Sequence, residues 1–144
     1  MGKLTKSIEI EASPEEVFAF INDDKKMNEA SKPTIKQEWT SEGPVGVGST
    51  MHFVGAAGGK WDAEITEFVK NKKTASHTIG KGDMKITQSW TLEPTAKGTK
   101  LTFFADYELP YSLLGKIVDK VRVSKVIEKS TIQMLENAKK ALEA

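Results

Sequence analysis

His77 is the side chain best suited to proton transfer near neutral pH, because imidazole is the group whose ordinary pKa lies there. Of the two histidines, strand alternation points His77 inward and His52 to water. An inward imidazole could donate to a ligand carbonyl, or act as acid or base once a second group orients it. Gln88, Tyr107, Glu67 and Asp106 are available for that, and no spacing selects one of them. A buried histidine satisfied by its neighbours is the commoner use of such a position, so His77 is a catalytic candidate by position alone.

Other chemistries find less support. Two isolated histidines and no cysteine supply no ligand cluster with recognisable spacing, so no metal is expected. Ser13, Ser89 and Ser112 lack a nucleophile-elbow context. Gly46-Val47-Gly48 and Gly55-Ala56-Ala57-Gly58-Gly59 have neither a following helix nor a P-loop lysine with serine or threonine. They read as hairpin turns, and no cofactor is expected. The lack of cysteine also excludes thiolate catalysis and disulfides, and permits a reducing cytoplasm.

Lys and Arg total 21 against 20 Asp and Glu, and a net charge of +1 gives no field to concentrate nucleic acid. No apolar run approaches the roughly 18 residues of a membrane span, and Met1-Gly2-Lys3-Leu4-Thr5-Lys6 lacks the apolar stretch of a signal peptide. A cytoplasmic location without stable membrane insertion is the expectation. Lys116, Lys120, Arg122, Lys125 and Lys129 form a basic run, interrupted by Asp119 and Glu128, that reads as a solvated helix face. With 144 residues, 38% of them hydrophobic, the chain suits one domain over residues 1–144.

The elements follow from periodicity. Leu4 to Glu11 alternate apolar and polar, as a strand with one buried face does. Ser13-Pro14-Glu15-Glu16 is a helix start with a capping box, followed by Val17, Phe20 and Ile21 on one face, and 23–29 reads as a second, mostly solvated helix. Segments 34–40, 49–55, 60–70, 73–79, 84–93 and 99–108 are strand-like, and their short glycine-bearing links favour an antiparallel meander. After Pro110 the period becomes helical, with Ile117, Val121, Ser124, Ile127, Thr131, Leu135, Ala138 and Leu142 on one stripe.

If that long helix lies on the concave face of the sheet, alternation assigns the inward side chains. They are Ile35 and Trp39, Met51 and Phe53, then Trp61, Ala63 and Ile65, then Ala75, His77 and Ile79. Met84, Ile86, Gln88, Trp90 and Leu92 form a further row, and Leu101, Phe103, Ala105 and Tyr107 another. A curved sheet and a straight helix diverge at one end, which leaves an apolar site there. Phe53, Trp61, His77, Trp90, Tyr107, Leu114, Ile117, Val118 and Val121 are the candidate ligand-binding residues, with 110–115 facing the 55–59 hairpin as a mobile mouth.

This order of elements carries a resemblance. With Ala12-Ser13-Pro14-Glu15-Glu16-Val17-Phe18, Gly46-Val47-Gly48-Ser49, Trp90-Thr91-Leu92-Glu93-Pro94, Gly98-Thr99-Lys100-Leu101-Thr102 and Met134-Leu135-Glu136-Asn137-Ala138, the chain resembles the START-related (SRPBCC) superfamily of helix-grip proteins. That superfamily includes polyketide cyclases/dehydratases, lipid-transfer domains and plant pathogenesis-related allergens. The resemblance spans the whole chain and implies an α+β helix-grip fold: a seven-stranded curved antiparallel sheet around a long C-terminal helix, with two short helices after the first strand. It also implies an apolar cavity for lipids, sterols, polyketides or similar ligands. Many relatives carry tryptophan where Ala30 stands, which implies a thinner cavity wall here.

Three functions then compete. A carrier or sensor enclosing a hydrophobic small molecule comes first. A cyclase- or dehydratase-like enzyme using His77 or a cavity carboxylate is second, and a partner-binding regulatory module with an unknown protein partner is third.

Overall fold

Ser13 opens the first helix as its type predicts: its hydroxyl accepts from the Glu16 amide at 3.2 Å, and Pro14 occupies the first turn. In the computed structural model, which describes residues 2–32, 35–55, 59–108 and 117–144 with the side chains of 117–120 excepted, this helix is α1, Pro14–Ile21. It follows β1, Gly2–Ile10, and precedes α2, Asp24–Ala30, whose first turn is capped by Asp23. Six strands come next: β2 Lys36–Trp39, β3 Thr50–Val54, β4 Lys60–Val69, β5 Lys73–Ile79, β6 Lys85–Pro94 and β7 Thr99–Glu108. The long helix α3 is Ile117–Glu143.

The strands form one antiparallel sheet in the order β1-β7-β6-β5-β4-β3-β2, with β1 added at the far edge beside the last strand. The sheet curls around α3, which packs on β1 and α2, in the helix-grip arrangement. Thr99 fastens the closing edge: its buried hydroxyl donates to the Ala12 carbonyl at 2.7 Å. Gly98 beside it has no room for a side chain, since a Cβ there would lie 2.8 Å from the Ala12 nitrogen. At the other end of the sheet, Asn28 on α2 donates to and accepts from the Gln37 backbone at 2.8 and 2.7 Å, doing for the short β2 what a neighbouring strand would do.

Ile10, Val17, Met27 and Leu101 are almost fully buried between the sheet, α1, α2 and α3. Each contributes roughly 1.5–3 kcal/mol by its removal from water. Ser130, Thr131, Met134, Leu135 and Ala138 carry the buried stripe of α3.

The structure corrects two expectations. His77 is exposed on the convex face, and the inward row of β5 is Thr74, Ser76 and Thr78. The cause is a bulge in β4 between Ile65 and Glu67. An unbroken strand would have kept Val69 in phase with Trp61, Ala63 and Ile65 and carried that phase through the hairpin to Ala75 and His77. The one-residue insertion turns Phe68 inward instead, leaves Val69 44% exposed, and reverses β5. Val121 is 56% exposed, because at about 100° per residue it lies about 120° around the helix from Ile127. Val123 takes the half-buried place on that turn. Ala30 is buried against α3, its carbonyl accepting from Asn137 Nδ2 at 2.8 Å.

Candidate functional site

Residues of β3, β4, β6 and β7 on one side and of α3 on the other face one another across a gap beside Trp61. A cavity remains, with about 80 Å³ open to the centres of water-sized molecules, within about 700 Å³ of empty space that includes open solvent. A single water needs roughly 10–15 Å³ by that kind of measure. Phe53, Trp61, Ile86, Trp90, Phe103, Ala105 and Tyr107 line it from the sheet and Met84 from the loop before β6; Ile127, Ser130, Thr131 and Met134 line it from α3. Met27 of α2, with Ile35 and Gln37, closes the side.

Two aromatic pairs stiffen the walls. Phe53 and Trp61, opposite each other across β3 and β4, stack with centroids 5.3 Å apart, and Trp90 meets Phe103 at 4.6 Å with a 49° tilt. Gly82 lies so close over Trp61 that a Cβ would sit 3.0 Å from its Cα, so the 80–84 loop packs down on this end. Asp83 holds the loop there: its amide donates to the Lys60 carbonyl at 2.8 Å, and its carboxylate accepts from the Lys60 amide at 2.9 Å.

Polar groups are few. Tyr107 donates its hydroxyl to Ser124 Oγ at 3.2 Å. The indole N–H of Trp61 is buried without a hydrogen-bond partner. Among the described lining residues none is acidic, basic or histidine, and Tyr107 is the one ionisable group. Among the described residues no group of three or more histidines or carboxylates is placed to hold a metal ion.

A family model described as polyketide cyclase / dehydrase and lipid transport matches residues 1–143. The chain belongs to this family. As a member of the polyketide cyclase/dehydrase and lipid transport family, within the SRPBCC superfamily, it shares its fold with solved structures at low identity. The protein TTHA0849 from Thermus thermophilus is 19% identical, with 98% of this chain and 97% of that one covered at a TM-score of 0.81. The Zhui aromatase/cyclase from Streptomyces sp. R1128 is 14% identical over 99% and 93% of the two chains, with a TM-score of 0.79. A START superfamily protein from Mycobacterium smegmatis is 18% identical over 97% and 98%, with a TM-score of 0.73. At these identities the likeness concerns the fold. Among curated proteins, none shows significant sequence similarity.

In this family member the structure brings Phe53, Trp61, Trp90 and Tyr107 together on the cavity wall. It sets His77 and Val121 outside. Leu114 and the 110–115 mouth fall outside the described residues, as do the side chains of Ile117 and Val118 in the first turn of α3. His52 is on the convex face, paired with Asp62 at 2.8 Å. Met27 lines the cavity although its segment reads as solvated; the signal was one apolar side chain amid Lys25, Lys26, Asn28 and Glu29. Ala30 is buried and is not among the described lining residues, whereas Met27, one turn earlier on α2, is. No helix among the described residues is long and apolar enough to cross a membrane.

Proposed function

We propose that the chain is a carrier or sensor that encloses a hydrophobic small molecule (a lipid, sterol, polyketide or similar) between the concave face and α3. The observation that carries this reading is the hollow itself: aromatic and aliphatic walls, and no charged group among the described lining residues. Apolar burial, at about 25 cal/mol per Å² removed from water, would supply most of the affinity. The family's description as lipid transport, and the aromatase/cyclase name of one structural neighbour, support guests of this type.

The enzymatic alternative through His77 loses its geometry, since that ring is on the opposite side of the sheet. Native mass spectrometry of the purified protein tests the carrier reading. A retained apolar molecule, displaced by competing lipids, sterols or aromatic polyketides, is expected. A bare chain that takes up none of them at saturating concentration would contradict it.

A further inference from the structure

Thr74, Ser76 and Thr78 turn three hydroxyls inward from β5, where a core strand ordinarily presents apolar side chains. Thr78 serves the backbone: its Oγ1 accepts from the Ile86 amide at 2.7 Å and donates to the Ile86 carbonyl at 3.1 Å. The other two have no such task. Thr74 is 5% exposed and Ser76 4%, and Thr74 Oγ1 has no hydrogen-bond partner. A buried hydroxyl left unpaired costs stability that an apolar replacement would not, so its presence asks for a partner.

Beside these hydroxyls is a recess of about 20 Å³ open to the centres of water-sized molecules. It shares Gln37, Phe53, Gln88 and Trp90 with the main cavity. Ser76 faces Gln88 across β5 and β6, and Thr74 faces Trp90. No hydrogen bond among the described residues engages the side-chain amides of Gln37 and Gln88 or the Ser76 hydroxyl. Each of these groups can both donate and accept, and none carries charge. Neither the recess nor the main cavity has a lysine or arginine among its described lining residues.

We propose that this recess seats a neutral oxygen of the guest, so that the ligand class is an apolar molecule ending in an alcohol, phenol or ketone. The inference rests on the carrier reading and adds the chemistry of the buried end. The space admits one small polar group, and the hydroxyl and amide pair can answer either a donor or an acceptor. An ionised carboxylate would lose its water there without gaining a counter-ion, so carboxylic acids are selected against.

The test uses three probes of one shape: naphthalene, 1-naphthol and 1-naphthoate, titrated at neutral pH against the whole protein with tryptophan fluorescence as readout. The expected result is 1-naphthol binding about 3–10-fold tighter than naphthalene and at least about tenfold tighter than 1-naphthoate. Gln88→Leu should bring the naphthol-to-naphthalene ratio close to one, the ratio being the readout because Gln88 also lines the main cavity and its replacement shifts both affinities. Ser76→Ala, a smaller change, should move the ratio the same way and serves if the leucine variant fails to fold. Equal binding of naphthalene and 1-naphthol, or an unchanged ratio in the folded variants, would overturn the inference and leave the carrier reading standing. Saturable binding of none of the three would overturn both.

Discussion

Phe53 and Trp61 lie nearly parallel, 5.3 Å apart with an 11° angle between their planes, so each ring covers one face of the other and the pair makes a continuous cavity wall. The arrangement fixes what may stand nearby. A Cβ on Gly55 would sit 2.7 Å from Trp61 Cζ3, deep inside contact distance. Gly55→Ala therefore pushes the indole off its partner, and a loss of about 1–3 kcal/mol is expected in urea denaturation, with a changed tryptophan emission. Unaltered stability and emission would show that the stack does not depend on that glycine.

Ala105 is 1% exposed and lines the cavity from β7. Ala105→Leu puts three more carbons into the hollow. The expected outcome is a drop of at least about tenfold in the affinity for naphthalene, with a stability change limited to about 1–3 kcal/mol. Undiminished affinity in the folded variant would place the binding somewhere else.

His77 stands opposite Glu64 and Thr87 on the convex face. His77→Gln should leave the dissociation constant for any cavity guest unchanged within about twofold, as remote surface substitutions do. A tenfold loss by calorimetry would mean that β5 turns the other way.

Glu143 ties the end of α3 to the chain leaving β1: its carboxylate accepts from Lys139 Nζ at 2.6 Å and from the Glu11 amide at 2.9 Å. The Lys139 hydrogen bond first, and the Glu11 amide second, hold its pKa below the ordinary glutamate value. A carboxyl whose folded pKa is lowered stabilises the fold above its unfolded pKa, and that contribution disappears as pH falls through the folded value. Thermal melts should find Glu143→Gln less stable than the parent at neutral pH, with the gap closing as pH drops below the usual glutamate range. A gap independent of pH would remove the ionised carboxylate from the explanation.

How far the amino-acid sequence discloses this molecule differs between its parts. The capping signal at Ser13, the alternation in β6 and β7 and the helical period after Pro110 are local properties, and they specify the elements and the inward rows that hold Trp90 and Tyr107. β5 was illegible because its phase is set by a bulge one strand earlier, and because the apolar-inside rule favours Ala75 and Ile79 over Thr74 and Ser76. The rule fails where the interior is polar, which is where the recess lies. Val121 and Ile127 lie at opposite edges of one broad helical stripe, and which arc of a long helix meets the sheet is decided by tertiary packing at Ile127, Met134 and Ala138.

The central claim is that a guest enters the hollow between the concave face and α3. Met27, Met84 and Met134 line that hollow, Met51 lines only the recess, and methyl resonances of methionine report each position separately. With carbon-13 in the methionine methyls, titration with naphthalene should shift Met27, Met84 and Met134 together, along one saturable isotherm. Resonances that remain fixed, or that drift without saturating while bulk naphthalene rises, would contradict the account.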